Sequence, residues 1–266
     1  MRVKNKNIVV TGGGNGVGRE LVLQLLSKGA RVITIDINEA GLQETFNLSG
    51  KNEMLVTRIV NIANRESVFS FVEEIISMLG HIDGVINNAG IIQPFVQLKE
   101  LKLEQIDRVM NVNFYGTLYM TKALLPHLIT RPEAHIVNIA SMGGFLPVPG
   151  QSVYGASKAA VKMMTEGLYS ELYDTNVNVS LVFPGGIATD IKKNSQTTNE
   201  SLSAEQKGSK LILSPASAAE KIIKGMEKNK YRFFIGKDSK LMNFIYSVNP
   251  GVATRMIKGV MGSKDH

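Results

Sequence analysis

The sequence predicts a doubly wound α/β domain, with a parallel sheet of about seven strands and helices on both faces. Short β-branched runs alternate with longer stretches in which apolar residues recur at helical spacing. The short runs are almost continuously apolar, as strands are when both faces of a parallel sheet are covered. With 266 residues, 44% of them hydrophobic, and no repeat or linker, residues 1–266 are expected to form a single domain.

The predicted elements follow one another in strict alternation. Strands are predicted at residues 7–11, 31–35, 54–60, 82–87, 135–140 and 177–183. Helices are predicted between them at residues 16–28, 39–47, 65–79, 103–129 and 152–174. A helix near 215–228 and a strand at 232–235 complete a seventh layer. Such alternation favours right-handed crossovers between parallel strands.

Two segments depart from this pattern. Residues 189–214 are polar and follow a strand end, so we expect a mobile lid there. Residues 240–261 predict two short amphipathic helices that pack onto the domain or a neighbouring subunit, with membrane-surface contact as the less favoured alternative. The predicted helices at 103–129 and 152–174 carry more apolar positions than one sheet face can cover, which predicts a homodimer or homotetramer.

Composition excludes several classes of site. The chain has no cysteine, so disulfides, thiolate metal sites and cysteine nucleophiles are excluded. Its four histidines are scattered without ligand spacing, and we expect no metal site. The net charge of +7 is spread along the chain, which argues against nucleic-acid binding. No signal peptide or membrane-spanning segment is apparent, so a cytoplasmic protein without stable membrane insertion is expected.

A glycine cluster follows the first predicted strand and opens the first helix. The common G-x-G-x-x-G spacing does not fit it, whereas T-G-x-x-x-G-x-G fits through Gly12, Gly16 and Gly18. Such a turn lets backbone N–H groups approach a pyrophosphate, and the helix N-terminus adds partial positive charge. We therefore predict a dinucleotide phosphate site at Gly12 and at the run from Asn15 through Gly16 and Val17 to Gly18.

Asp36 ends the second predicted strand, eighteen residues after Gly18. A carboxylate there accepts hydrogen bonds from the adenosine ribose hydroxyls and repels a 2′-phosphate. Neither residues 13–15 nor Ile37 supply a cation for such a phosphate. NAD(H) is therefore the predicted cofactor, and a mere helix cap at Asp36 is the less favoured interpretation.

Tyr154 and Lys158 lie four residues apart at the start of a predicted helix, and therefore on one face. A phenol loses its proton near pH ~10, but a neighbouring ammonium and a positive nicotinamide ring favour the phenolate. Tyr154 can then exchange a proton with an alcohol or ketone while hydride moves to or from the nicotinamide. Ser141, at a strand end thirteen residues upstream, is expected to bind the substrate oxygen.

Taken together, these motifs resemble the short-chain dehydrogenase/reductase family, whose domain is of the Rossmann type. The resemblance runs from Thr11 to about Ile235. The matching motifs are the glycine turn, Asn87-Asn-Ala-Gly90, Asn111-Val-Asn113, Ser141, Tyr154-x-x-x-Lys158, and Pro184-Gly185 with Thr189. The resemblance implies that Asn113 completes a catalytic tetrad, its backbone carbonyl binding a water that links Lys158 to solvent.

The resemblance also assigns cofactor contacts. Lys158 would bind the nicotinamide ribose, and residues 184–187 with Thr189 would contact the carboxamide. Asn61 and Ile62 after the third predicted strand, and residues 88–90 after the fourth, would lie on the adenosine side. The predicted cofactor contacts from these segments are Asn61, Ile62, Asn88, Ala89, Gly90, Pro184, Gly185, Ile187 and Thr189. Where the family often has Asp after the third strand, this chain has Asn61, whose amide oxygen accepts the same hydrogen bond without charge.

The reaction predicted is hydride transfer between NAD(H) and a secondary alcohol or ketone. Substrate contacts are expected from Gln93, Ser141, Met142, Gln151, Tyr154 and Gly186. Because the neighbouring Ile92, Phe145 and Ile187 are apolar, a neutral or lipophilic small molecule is favoured. Reduction of a 3-oxoacyl thioester on a carrier protein is the alternative, and a non-catalytic NAD-sensing module is a more distant one.

Overall fold

The computed structural model describes residues 1–188 and 212–261. Within them, seven parallel strands form one sheet in the order β3-β2-β1-β4-β5-β6-β7, which confirms the predicted fold class. The strands are β1 Asn7–Thr11, β2 Arg31–Asp36, β3 Leu55–Ile59, β4 Gly84–Asn87, β5 Ala134–Ile139, β6 Val177–Pro184 and β7 Arg232–Ile235. Strand order reverses between β1 and β4, where doubly wound sheets open a crevice for ligands.

Helices cover both faces of this sheet. They are α1 Gly16–Ser27, α2 Glu39–Leu48, α3 Arg65–Leu79, α4 Leu103–Met110, α5 Gly116–Ile129, α6 Ser152–Glu171, α7 Pro215–Glu227, α8 Lys237–Val248 and α9 Pro250–Met261. Ile8 and Val10 pack with α1 and α7, whereas Val9 packs on the opposite face with α3 and α5. Successive strand residues therefore enter two separate cores, which explains the continuous apolar runs in the sequence.

The long helix predicted at 103–129 is interrupted. A π-helical turn, Asn111–Tyr115, separates α4 from α5, and the Gly116 N–H donates to the carbonyl of Asn111, five residues back. The turn places Asn113 in the interior, where its side chain hydrogen-bonds the backbone of Ile91. The uninterrupted helix was therefore a wrong prediction, because periodicity does not record where a side chain must turn inward.

Five strands end along one edge of the sheet, and these ends position the candidate site. Thr11, Asp36, Asn87, Ile139 and Pro184 are the last residues of β1, β2, β4, β5 and β6. Because parallel strands all point the same way, their carboxyl ends open on one crevice.

The last two helices lie beside β7. Ser239 of α8 is buried and donates to the carbonyl of Phe183 at 2.9 Å. Tyr246 approaches the ring of Phe145, with ring centroids 6.2 Å apart, and Ala253 of α9 is buried. No helix in the described ranges is long and apolar enough to cross a membrane. The lid predicted at 189–214 falls almost entirely outside those ranges.

Candidate active site

A cleft of about 650 Å³ opens at the carboxyl edge of the sheet. Every predicted cofactor residue in the described part of the chain lines it. These residues are Gly12, Asn15, Gly16, Val17, Gly18, Asp36, Asn61, Ile62, Asn88, Ala89, Gly90, Tyr154, Lys158, Pro184, Gly185 and Ile187. Thr189 lies outside the described residues. The volume is in the range typical of small-molecule and cofactor sites.

The glycine turn leaves a backbone cradle at the N-terminus of α1. Gly12 has φ +74°, and a Cβ on it would lie 2.9 Å from the Cα of Ala89. A Cβ on Gly18 would overlap the carbonyl oxygen of Gly12. The hydroxyl oxygen of Thr11 accepts hydrogen bonds from the N–H groups of Asn88 and Ala89, both at 3.0 Å, and so joins the ends of β1 and β4. This cradle fits a pyrophosphate, because side chains are sterically excluded from it and the helix terminus favours an anion.

Asp36 lies at one end of the cleft with its carboxylate already oriented. Oδ2 accepts from the Gly14 N–H at 2.9 Å and Oδ1 from the Asn38 N–H at 3.0 Å. Each oxygen retains a further lone pair for a hydroxyl donor. Arg19 directly follows the glycine turn, but its guanidinium pairs with Glu44 at 2.6 Å and is not among the residues lining the cleft.

The other end of the cleft contains Tyr154, Ser141 and Lys158. Ser141 follows β5, and its Oγ accepts from the Gly143 N–H at 3.1 Å, which orients the hydroxyl. Burial raises the pKa of Tyr154, and a hydrogen bond with Ser141 partly opposes that increase. The sequence predicts that the neighbouring ammonium lowers the pKa of Tyr154, whereas in the structure burial has the larger effect and raises it.

Lys158 is buried in the cleft lining beside Gly90. Its Nζ donates to the carbonyl of Ile139 at 3.1 Å, and a Cβ on Gly90 would lie 3.1 Å from that Nζ. Burial lowers the pKa of Lys158 to about 8. Its ammonium can therefore lose and regain a proton close to physiological pH, which suits a group that passes protons.

Asn113 joins three segments from a fully buried position. Its Nδ2 donates to the carbonyl of Ile91 and to Ser157 Oγ, both at 2.9 Å, while Oδ1 accepts from the Ile91 N–H at 2.8 Å. The Thr117 hydroxyl donates to the Asn113 backbone carbonyl at 2.9 Å. The resemblance implies that this carbonyl oxygen also binds a water.

Comparison with known proteins decides the family. Residues 6–200 match the family model described as short chain dehydrogenase. The chain belongs to the short-chain dehydrogenase family. A Mycobacterium tuberculosis protein named as an oxidoreductase, SadH, is 33% identical over 261 residues, covering 96% of this chain and 94% of that protein. The 3-oxoacyl-[acyl-carrier-protein] reductase FabG of Thermotoga maritima is 36% identical over 193 residues, covering 71% and 77%.

Solved structures give the same fold. A short chain dehydrogenase/reductase from Burkholderia phymatum in complex with NAD superposes with a TM-score of 0.83 at 23% identity, covering 94% of this chain and 98% of that one. A short chain dehydrogenase from Burkholderia cenocepacia in complex with NADP gives 0.80 at 25% identity, covering 97% and 99%. This short-chain dehydrogenase is thus an oxidoreductase with a nucleotide-binding fold.

Of the predicted substrate residues, only Ser141 and Tyr154 line the cleft of this dehydrogenase. Gln93 is fully buried, and its Oε1 accepts from the N–H groups of Val153 at 2.8 Å and Tyr154 at 3.0 Å. It therefore caps the N-terminus of α6 from a different segment of the chain. The sequence interpretation of Gln93 as a substrate contact is replaced by this role, since all its polar atoms face inward.

The other three predicted substrate contacts also lie off the cleft lining. Gln151 is buried and donates through Nε2 to the carbonyl of Gln93 at 2.9 Å. Met142 lies in the short turn after Ser141, and Gly186 donates its N–H to Asp238 Oδ2 at 2.7 Å. Sequence distance alone places these residues near the reacting carbon, and as substrate contacts they remain predictions.

Two contributions were missed in the sequence. Asp238, at the start of α8, fixes the loop after β6 through Gly186, and a Cβ on Gly185 would overlap its carboxylate. Arg108 and Asn111 line the cleft from the end of α4 and the π-helical turn. Asp238 comes shortly after β7, which pairs with β6. An acidic residue near the end of a neighbouring parallel strand was the sequence signal for a contact with the loop after β6.

Proposed function

We propose that this chain is an NAD(H)-dependent oxidoreductase that interconverts a neutral or lipophilic secondary alcohol and its ketone. The observation that carries the proposal is that one cleft contains both Asp36 with the glycine turn and Tyr154 with Ser141 and Lys158. The first group fits the adenosine and phosphates of a dinucleotide. The second group fits proton exchange with a substrate oxygen.

Asp36 supports NAD(H) over NADP(H). Its two oxygens are positioned by backbone N–H groups and have lone pairs left for the ribose hydroxyls. A 2′-phosphate would instead meet a carboxylate, and like charges at hydrogen-bond distance repel. The nearby Arg19 is paired with Glu44 and would have to leave that pair to neutralise a phosphate.

The proton path uses this chain's own side chains. When bound, the oxidised nicotinamide supplies a hydride acceptor and a positive charge. Ser141 donates a hydrogen bond to the substrate oxygen, and Tyr154 as phenolate accepts the hydroxyl proton as the carbon–hydrogen bond gives up its hydride. Lys158, with a pKa of about 8, returns a proton to or takes it from Tyr154, and the Asn113 carbonyl binds the water that reaches solvent. Ketone reduction runs through the same groups in reverse.

The lining of the cleft supports an uncharged substrate. Among the described lining residues, the charged ones are Asp36, Arg108 and Lys158. Asp36 belongs to the nucleotide end, and Lys158 is buried with its Nζ on the carbonyl of Ile139. The apolar Ile91, Ile92 and Ile187 also line the cleft, and apolar walls favour a lipophilic molecule.

A 3-oxoacyl thioester on an acidic carrier protein is the second candidate. The similarity to the Thermotoga maritima reductase favours it, and a net charge of +7 suits an acidic partner. Asp36 argues the other way, since the resemblance associates such reductases with NADPH.

Steady-state turnover with matched substrates tests the proposal. Purified protein is supplied with NAD or NADP and a panel of secondary alcohols of increasing apolar size, and in the reverse direction with ketones and a 3-oxoacyl thioester. We expect the highest kcat/KM with NAD(H) and a lipophilic alcohol or ketone. If kcat/KM for the thioester with NADPH were at least tenfold higher than for the alcohols and ketones with NAD(H), the second candidate would be the better assignment.

We further propose that the chain acts in the cytoplasm as a homodimer or homotetramer. Large apolar side chains are exposed on α4, α5 and α6, including Leu103, Ile129 and Met163. Helix faces of this kind pair across a two-fold axis when they are self-complementary. Light scattering at micromolar concentration tests this, and a monomer would refute it.

A further inference from the structure

Helix α8 has an inner face that packs on the domain and an outer face that does not. Ser239 and Tyr246 belong to the inner face, through their contacts with Phe183 and Phe145. The outer face carries Leu241, Phe244 and Val248, whose exposed fractions are 56%, 67% and 72%. Their spacing of three and four residues puts them in one stripe. Part of the apolar surface that the sequence predicts to pack is therefore uncovered.

The same stripe begins with two lysines. Lys237 precedes Leu241 by four residues and Lys240 precedes Phe244 by four, and both lysines are exposed. The acidic residue of this helix, Asp238, is turned towards the Gly186 N–H. Arg232, beside α8, donates to Asn243 Oδ1 at 3.3 Å and pairs with Glu166 at 3.7 Å, so the positive charge of this face comes from the lysines.

Helix α9 continues this charge pattern. Arg255 and Lys258 are exposed on it, and so is the apolar Met256. Among residues 237–259, whose side chains the structure describes, the four cations Lys237, Lys240, Arg255 and Lys258 are exposed, and Asp238 is the single acidic residue. The uncovered apolar stripe thus lies in a surface with one sign of charge.

We propose that the outer face of α8, with the basic residues of α8 and α9, docks peripherally on an anionic lipid bilayer. A basic helix with a stripe of Leu, Phe and Val is the pattern that lies in the plane of a membrane interface. Apolar side chains enter the headgroup boundary while the lysines pair with anionic headgroups. A second copy of this chain fits less well, because an isologous contact brings the same cations face to face. Charge complementarity thus selects the lipid surface.

Docking in this way would place the site close to the membrane. Tyr246, on the inner side of α8, contacts Phe145, which directly follows the turn Met142–Gly144. A Cβ on Gly143 in that turn would lie 3.3 Å from the ring of Tyr154. The inner face of α8 is thus linked through Phe145 to the turn beside Tyr154.

Vesicle co-sedimentation of the full chain tests the proposal. The probes are vesicles of phosphatidylcholine alone and of phosphatidylcholine with phosphatidylglycerol, at low and high salt. We expect binding to the anionic vesicles, weakened at high salt because headgroup attraction is screened. Lys237→Gln with Lys240→Gln should reduce binding about tenfold or more. Leu241→Ser with Phe244→Ser should reduce it at least about tenfold.

The matched control is Leu98→Ser with Lys99→Gln. Leu98 is 57% exposed, nearly the same as Leu241, and an exposed lysine adjoins it, but neither residue belongs to the docking face. This control should bind vesicles as the unaltered protein does. Equal loss in the control, or equal binding to neutral and anionic vesicles, would overturn the proposal. So would dissociation of the oligomer by Leu241→Ser with Phe244→Ser in light scattering, because the face would then join two copies.

Discussion

The two ends of the cleft are built in different ways. At the nucleotide end, Gly12, Gly18 and Asp36 act through backbone groups and one carboxylate, all within a single βαβ unit. At the reacting end, Tyr154 depends on Ser141, Lys158 and the buried Gln93, which come from three different segments. The first end is sensitive to added atoms, since its glycines leave no room for a Cβ. The second is sensitive to lost hydrogen bonds, because each group is oriented by another that is itself buried.

The largest effect is expected at the reacting end, from Tyr154→Phe. This change removes the proton-exchanging hydroxyl and keeps the ring, so turnover should fall by about 10²-fold or more. Affinity for NADH should hardly change, because the nucleotide end is untouched. Steady-state kinetics and NADH fluorescence titration measure the two quantities.

Tyr173→Phe is the matched control for that experiment. Tyr173 follows the same helix but is exposed, so turnover should stay at the level of the unaltered protein. A Tyr154→Phe enzyme with near-normal turnover would contradict the assignment of the proton-exchanging group.

The difference between the two ends also explains what the sequence could predict. Each predicted cofactor residue in the described ranges lines the cleft, because a glycine turn and a strand-end carboxylate are specified by neighbours in the chain. Gln93 was misassigned because its partners, Val153 and Tyr154, lie about sixty residues away. The π-helical turn at Asn113 was missed for the same reason. Local motifs fix backbone geometry, whereas a buried side chain's role depends on which distant segment meets it.

Lys158→Met should separate stability from function at the reacting end. Burial lowers the pKa of Lys158 from 10.5 to about 8, so below pH 8 the folded protein carries a charge that burial disfavours. Removing that charge should raise the free energy of unfolding at pH 7 by up to about 3 kcal/mol. Turnover should fall, though less than in Tyr154→Phe, and NADH affinity should fall as well, since Lys158 is also proposed to bind the ribose.

The sign of the pH dependence follows from linkage. Between the folded pKa near 8 and the unfolded pKa of 10.5, the unfolded chain binds more protons, so the unaltered protein gains stability as pH rises. The advantage of Lys158→Met should therefore shrink through this window and vanish above it. Urea unfolding at pH 7 and pH 10 measures it. An equal advantage at both pH values would mean that packing, and not the buried charge, causes the difference.

A change of intermediate size is expected at the nucleotide end, from Asp36→Ala with Ile37→Arg. Asp36→Ala removes a carboxylate that accepts charge-assisted hydrogen bonds, and Ile37→Arg adds a cation beside the adenosine ribose. The ratio of kcat/KM for NAD over NADP should fall by about tenfold or more. The single change Ile37→Gln is the control and should leave the ratio nearly unaltered. Tighter binding of NADPH than NADH by the unaltered protein would refute the interpretation of Asp36.

The smallest effect is expected from substitution of Gln93, and it tests whether Gln93 positions Tyr154 or contacts the substrate. Gln93→Met keeps the volume of the side chain but leaves the Val153 and Tyr154 N–H groups without their acceptor. We expect kcat to fall by about tenfold, because a small displacement of a catalytic group is costly, while KM for NADH stays the same. Gln93→Glu supplies the acceptor again and should restore most of kcat. Its carboxylate also raises the pKa of Tyr154, so the rise of the alcohol-oxidation rate with pH should move to higher pH. If Gln93→Met instead changed KM for the alcohol and left kcat and the pH profile unaltered, Gln93 would contact substrate after all.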